Sequence, residues 1–427
     1  MTLQPRYPTT YRKIVLAFSG GLDTSFCVPF LREQTGAAII TCTVDTGTLS
    51  PEERERLPRY ARQLGAQDHV TIDAREDLFN RFIAYLIKGN VRRGGTYPLS
   101  VGVERVLQAE KTVAYALRIG ADALAHGSTG AGNDQIRFDT ALRTLAPDLD
   151  ILTPIRDFNL TRSFTAAYLR ERGIPVSEEK QAYSINRGLW GTTIGGKETL
   201  NEWDALPDEA FPDTVAPQDA PDEPLVLDIY FEEGIPRSVQ EATGPAPSEP
   251  RPEPPVQLIE RLNRLGAAHG VGRGMHVGDT ILGIKGRIGY EAPAAEILLS
   301  AHRELEKIVL TKFQRQEKDK LADFYGQMLH EGHYYDPVMR DIEAFLDSSQ
   351  KRVTGTVRVH LYKGQVFVQG CTSLYSLFNP EGAAYGEGSR LWTMEDARGF
   401  ARLHGLQEQL AYQKMPEVLA ENTNTST

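Results

Sequence analysis

Residues 13–25, KIVLAFSGGLDTS, decide how the rest of the chain is read. The apolar run that ends at Leu16 has the composition of a short buried strand, and Ser19, Gly20, Gly21, Asp23, Thr24 and Ser25 then crowd into a turn before FCVPFL becomes helical. Such a turn has two readings. It can be a tight strand-to-helix connection in which Asp23 caps the helix. It can also be a phosphate cradle. Amides at a helix start lack intrahelical acceptors and carry the positive end of the helix dipole, so glycines on the approach let an anion reach the main chain itself. The hydroxyls of Ser19, Thr24 and Ser25 would add donors, and the Asp23 carboxylate would meet a bound Mg²⁺.

Outward from this stretch, AAIITCTV and DHVTID repeat the buried-strand pattern, while EERERLPRYARQLG and REDLFNRFIAYLIKG have helical spacing. A long helical pattern through ERVLQAEKTVAYALRIG leads into ADALAHGS, a further strand, and LDILTPI reads as another. This alternation predicts an α/β fold with a Rossmann-like parallel sheet covered by helices. Ligands of such sheets gather beyond the carboxyl ends of the strands, where SGGLDTS, VDTG and HGSTG all fall.

After about Lys180 the rhythm changes. DALPDEAFPDTVAPQDAPDEP is acidic and proline-rich and reads as an extended excursion. LVLDIYFEEGIPRSVQ reads as a hairpin, VQLIERLNRLGAAHG as a helix, VGRGMHVGDTILGIKGRIGYEAP as a glycine-rich strand region, and GTVRVHLYKGQVFVQG as a hairpin turning at Lys363 and Gly364. The division predicted is a nucleotide-binding domain over 12–180, a second α+β domain over 181–395 and a C-terminal amphipathic helix over 396–415. The helix carries apolar positions at Phe400, Leu403, Leu406 and Leu410 and docks on its own domain or on a neighbouring subunit.

A chain of 427 residues, 41% hydrophobic, is long enough for two or three domains. Its 57 acidic residues outnumber 47 basic ones, which leaves no overall electrostatic footprint for nucleic acid or an anionic membrane. Cys27, Cys42 and Cys371 are far apart and form no CxxC, so neither a disulfide framework nor a zinc site is indicated. No secretory or membrane-spanning pattern is evident, and the expected setting is the cytoplasm.

Two glycine patterns are decoys. GTTIGGKE, Gly191 to Glu198, nearly satisfies a Walker loop, but Glu198 replaces the hydroxyl that would hold Mg²⁺ and no strand is expected before it. GVGRG at Gly270 lacks a following helix and reads as a tight turn. The richest stretch is HGSTGAGNDQIRFD, His126 to Asp139. Gly127, Gly130 and Gly132 allow close approach, while Thr129, Asn133, Asp134 and Arg137 supply a hydroxyl, an amide, a carboxylate and a guanidinium. An amino acid ligand needs that set: Arg for its carboxylate, Asp for its ammonium, amide and hydroxyl for orientation. The alternative is a solvated turn with Asp134 capping the next helix, and His126 reads as structural.

AFSGGLDTS matches the pyrophosphate loop of the N-type ATP pyrophosphatase superfamily; together with GSTGAGNDQIRF and HGVGR, the chain resembles the argininosuccinate synthase family from about Lys13 to past Arg402. The resemblance implies ATP-dependent joining of citrulline and aspartate with release of AMP and diphosphate, Mg²⁺ as companion ion, and a homotetramer. It implies that Ala17, Phe18, Ser19, Gly20, Gly21, Leu22, Asp23, Thr24, Ser25, Val44 and Gly127 bind ATP. Thr129, Asn133 and Asp134 would hold aspartate, and Tyr97, Asn133, Arg137, Ser184, Thr193 and Tyr290 citrulline, with Asp23 and Asp134 closest to the chemistry. Tyr97 and Tyr290 read equally as half-buried tyrosines, and Ser184 and Thr193 as turn hydroxyls. Three positions depart from the family pattern: Ala131 replaces a lysine, Gly102 replaces a serine with Ser100 as a substitute nearby, and Gly278 replaces a glutamate expected at citrulline's ammonium, beside Asp279. Relatives that modify tRNA would need paired cysteines or a basic surface, and a nonenzymatic nucleotide sensor would not need the amino acid site.

Overall fold

The computed structural model describes residues 7–130, 132–176, 183–242, 244, 251–379, 382 and 389–417; Ala131 lies outside the described residues. The chain divides into two units, Met1–Tyr375 and Ser376–Thr427.

The first unit opens with strand β1 (Lys13–Ala17), helix α1 (Leu22–Thr35), β2 (Ala38–Asp45), α2 (Pro51–Gln63) and β3 (Asp68–Asp73). Strict alternation in β1 sends Ile14 and Leu16 into one apolar cluster, with Phe26, Phe30 and Leu57, and Val15 into another, with Leu107 and Val113. Both faces of the strand are therefore buried, as a parallel sheet requires. The REDLFNRFIAYLIKG pattern is helical throughout but not one α-helix: α3 (Arg75–Leu78) passes through a π turn (Phe79–Ile83) into α4 (Ala84–Gly89). The extra residue in that turn keeps Phe79, Phe82 and Ile83 all in the core. There follow α5 (Gly102–Arg118), β4 (Ala123–Ala125), α6 (Asn133–Leu145), β5 (Asp150–Leu152), α7 (Pro154–Asp157) and α8 (Arg162–Glu171). The five strands form one parallel sheet in the order β3-β2-β1-β4-β5. Chain order reverses between β1 and β4, so the crevice beyond their carboxyl ends is the topological switch point.

Next come β6 (Ser184–Asn186), β7 (Thr192–Gly195), β8 (Leu225–Glu232), β9 (Ile235–Glu241), α9 (Pro255–Ala268), β10 (Arg273–Asp279), β11 (Lys285–Glu291), α10 (Pro293–Val309), α11 (Lys312–Glu331), α12 (Pro337–Gln350), β12 (Gly355–Tyr362) and β13 (Gln365–Thr372). Two antiparallel sheets result, β10-β11-β7-β6 and β13-β12-β8-β9. The expected β12–β13 hairpin turns at Lys363 and Gly364, both with positive φ (46° and 83°). The proline-rich excursion runs extended between short 3₁₀ turns at Asp208–Ala210 and Pro217–Asp219.

GTTIGGKE contains β7 itself and then a four-residue 3₁₀ turn, Lys197–Leu200, so no helix start is available to a phosphate there. At GVGRG, a Cβ on Gly272 would lie 2.6 Å from Pro293 N, the packed turn anticipated for that stretch. In the second unit the tail pattern divides at Gly405 into α13 (Met394–His404) and α14 (Leu406–Tyr412). Its apolar positions Phe400, Leu403, Leu406 and Leu410 are exposed.

Candidate active site

The glycines of SGGLDTS shape the start of α1. Gly20 has φ +73°, and a Cβ there would lie 2.4 Å from Leu57 Cδ2, so only glycine fits. Gly21 is the N-cap residue, and no side chain caps the helix: Asp23 stands in the first turn, half-buried, and does not bond the helix amides. The capping reading of Asp23 is thereby corrected. Burial raises its carboxyl pKa, against a smaller opposing pull from Arg162. The loop hydroxyls instead hold the turn: Gly21 N–H donates to Ser19 Oγ at 3.3 Å, Ser19 N–H to Thr24 Oγ1 at 3.3 Å, and Thr24 Oγ1 to Gly21 O at 3.3 Å. Ser25 Oγ is buried with no partner among the described residues. Leu22, Asp23 and Thr24 occupy the first turn, whose amides have no intrahelical acceptor.

Ala17 ends β1. Phe18 is buried at 4% exposure, and its backbone ties to β2 through Phe18 N–H to Cys42 O at 2.8 Å and Thr43 Oγ1 to Phe18 O at 2.6 Å. Val44 lies one residue before the end of β2, on the same carboxyl edge. From the other side of the switch point, Gly127 closes on α1: a Cβ there would lie 3.2 Å from Asp23 C, Thr24 N and Thr24 Cγ2. The loop after β4 is thus packed against the start of α1. His126 anchors it, with Nε2 2.8 Å from Asp139 Oδ1 and Arg156 Nη2 on Asp139 Oδ2 at 2.9 Å.

Thr129 is exposed on this loop. At the start of α6, Asp134 receives Arg105 Nε at 2.9 Å on one oxygen and Arg137 Nη1 at 3.0 Å on the other. Burial by itself would raise the Asp134 carboxyl, but the two guanidiniums hold it below its ordinary value. Arg137 is 6% exposed and also donates from Nε to His330 O at 2.8 Å. Gly102 makes room for it, since a Cβ there would come within 3.2 Å of Arg137 Nη2. Tyr97 joins the same group. Burial pushes its hydroxyl up to about 12, Arg137 and the neighbouring Val101 amide and Ser100 hydroxyl pull it back, and Asp134 adds to the rise.

The antiparallel sheet supplies the rest. Tyr290 pairs with Thr193 across β11 and β7, its ring centroid is 5.4 Å from that of Tyr97, and its hydroxyl donates to Thr96 O at 3.2 Å. Asn133 Oδ1 accepts from Ile281 N at 3.0 Å in the turn after β10. Ser184 is exposed on the edge strand β6, opposite Gly195. Ser100 is fully buried and faces Gly191, whose Cβ would lie 2.8 Å from its hydroxyl.

Two family models match, the arginosuccinate synthase N-terminal HUP domain over residues 13–175 and the arginosuccinate synthase C-terminal domain over 183–411. The chain belongs to the argininosuccinate synthase family. It is 40% identical over 400 residues to the argininosuccinate synthase of Methanocaldococcus jannaschii, covering 93% of this chain and 98% of that one. To that of Methanopyrus kandleri it is 40% identical over 405 residues, 94% and 99% of the two chains. To that of Xanthomonas axonopodis pv. citri it is 41% identical over 404 residues, 93% and 94%. ATP use fits the HUP domain of this family. Among the described residues no helix is long and apolar enough to cross a membrane.

Sequence reasoning missed several residues that the structure brings to this group. Arg105 reads in sequence as one more charge on a helix. His330, in α11, comes from nearly two hundred residues beyond Arg137. Glu104 is 1% exposed, accepts from Thr46 Oγ1 at 2.8 Å and packs under Gly188; burial pushes its pKa up to about 8. No local pattern marks any of them.

Proposed function

We propose that the chain ligates citrulline and aspartate to argininosuccinate at the expense of ATP, releasing AMP and diphosphate through a citrullyl adenylate, as a step of arginine biosynthesis. The observation that supports this reading is the close approach of Gly127 to the Asp23–Thr24 backbone, which brings the loop that would hold the amino acids against the helix start that would hold the triphosphate.

A ureido carbon is a poor electrophile, and direct attack by an amine would be very slow. Adenylation removes that barrier. The phosphate-binding set would be Ala17 to Ser25, Val44 and Gly127, with the first-turn amides of α1 and the free Ser25 hydroxyl as donors. Asp23, uncommitted to capping and desolvated, fits a ligand of Mg²⁺ held jointly with phosphate oxygens; the ion would neutralise charge on the departing diphosphate. Arg137 and Tyr97, with Asn133, Ser184, Thr193 and Tyr290, would hold citrulline, the guanidinium taking the α-carboxylate. Thr129, Asn133 and Asp134 would hold aspartate. Kept anionic by two arginines, Asp134 orients the incoming amine rather than accepting its proton. Rate enhancement then comes from alignment and from charge neutralisation, without an enzyme nucleophile.

The division of labour follows the chain: nucleotide binding in 12–180, synthetase and multimerisation functions in 181–395, and an oligomerisation helix over 396–415 in a homotetramer, its exposed apolar positions suiting a subunit contact in the cytoplasm. The test is diphosphate release from ATP and Mg²⁺. Sustained release that demands both citrulline and aspartate supports the ligase; release that demands tRNA, or neither amino acid, overturns it.

A further inference from the structure

Beyond Tyr97 and Arg137 the ureido-acid site continues into a corner of nitrogen donors. Arg93 is tied to Tyr97 by a two-way backbone bridge, its N–H donating to Tyr97 O at 2.7 Å. The half-buried guanidinium of Arg93 donates from Nη2 to Asp279 O at 2.6 Å, and Nη1 faces His330 Nε2. His330, 6% exposed, lies with its ring between two guanidiniums, because Arg137 Nη2 is 3.1 Å from its Nδ1. Burial and those two charges push its pKa down to about 3, so the ring is neutral. A neutral imidazole accepts at one nitrogen only, and one of the two facing guanidinium N–H groups is therefore left without an acceptor there. His276, 8% exposed, stacks on Tyr97 with centroids 5.4 Å apart, and its Nε2 has no partner among the described residues. That nitrogen points at Gly278, where a Cβ would lie 2.5 Å away.

Among the described residues no carboxylate forms an ion pair with Arg93. Asp134 is engaged by Arg105 and Arg137. The Asp279 side chain is 60% exposed and paired with Lys285 at 2.5 Å. Asp279 and, more weakly, Glu331 favour the charged form of Arg93 through space without pairing with it, and burial outweighs them. Among the described residues Arg93 has no ion-pair partner; its hydrogen-bonding partners are a carbonyl and an imidazole, both neutral. Partly withdrawing a cation from water without a directly paired counter-ion is costly, which points to an anion arriving from outside the chain. A free α-ammonium placed here would instead meet like charge.

We propose that Arg93, His276 and His330 form an anion subsite for a carboxylate carried on the α-nitrogen of the ureido substrate, so that the enzyme takes citrulline acylated there by a dicarboxylic acid in preference to free citrulline. This rests on the ligase reading of the same site. Arg137 takes the α-carboxylate; acylation turns the α-ammonium into a neutral amide, and the distal carboxylate pairs with Arg93.

The experiment measures diphosphate release with ATP, Mg²⁺ and aspartate against citrulline, Nα-acetylcitrulline and Nα-succinylcitrulline. The expected kcat/KM for the succinyl compound exceeds that for the acetyl compound and for citrulline by about ten- to a hundredfold, the worth of one charge-assisted pair. Arg93→Met should shrink the ratio of succinyl to acetyl compound to near one. Equal or better use of citrulline by the unaltered enzyme overturns the subsite, as does a ratio that survives Arg93→Met. If none of the three compounds supports release, the ligase reading itself falls, and the subsite with it.

Discussion

The two ends of the site are built from different material. At the proposed phosphate end the groups on offer are main-chain amides of one short loop, given room by Gly20 and Gly127 and braced by hydroxyls within six residues of each other. At the ureido-acid end they are side chains drawn from α5, α6, α11 and the β7-β11 pair, with Arg137, Asp134 and Arg105 interlocked and Tyr97 set against Tyr290. A backbone site is written in consecutive residues and tolerates any side chain that leaves the amides open. A side-chain site depends on distant segments arriving together, and each member is lost singly.

The largest effect should come from breaking the interlocked end. Arg137→Ala strips one of two guanidiniums from Asp134 and opens a buried polar gap, which at about 3–5 kcal/mol is a loss of roughly 10²- to 10⁴-fold in kcat/KM for the ureido acid. ATP binding measured by calorimetry should change far less. If both fall together, the two ends are not separate sites.

The buried carboxyl between the ends sharpens the comparison through pH. Glu104 joins Thr46, in the loop that follows Val44, to the floor beneath Gly188. Its folded pKa, raised to about 8, lies above the unfolded value, so its contribution to stability is full below about pH 4.5, falls as pH rises, and is lost once pH passes the folded value. Glu104→Gln should flatten that decline and raise the unfolding free energy at pH 8 by on the order of a few kcal/mol, seen as a higher melting temperature. Melting curves at pH 5 and 8 check it; an unchanged difference between the two pH values would show that the group does not titrate in this window.

The smallest of the three tests the backbone end. Gly127→Ala places a methyl 3.2 Å from the Asp23–Thr24 backbone, and separating the loops to admit it should cost about 1–3 kcal/mol, seen as a roughly ten- to hundredfold rise in KM for ATP with little change for aspartate. A rise for aspartate alone would move Gly127 to the other end of the comparison.

Much of the fold was legible. The alternation of buried runs and amphipathic spacing predicted the parallel sheet, and the Lys363–Gly364 turn its hairpin, because both signals are local in the chain. Where local signals competed, the structure decided: the helix expected after Asp73 passes through a π turn to keep three large side chains inside, and the C-terminal pattern divides at Gly405. For the site, Gly127 was singled out from sequence, but its contact with α1 was not. Arg93, Arg105, His276 and His330 could not be foreseen, since nothing near each of them in the chain distinguishes it from an ordinary charged or core position.

By itself the sequence determined the glycine-lined turn into α1, the order of strands and helices, and the cluster of hydroxyl, amide, carboxylate and guanidinium groups from Thr129 to Arg137, because each is set by neighbours a few residues apart. Only the tertiary structure decided which guanidiniums hold Asp134, that Arg93 and Arg137 both face His330, and that Gly102 makes space for Arg137. Charge and burial belong to a place in space rather than to a position in the chain, and that place exists only once segments hundreds of residues apart have packed.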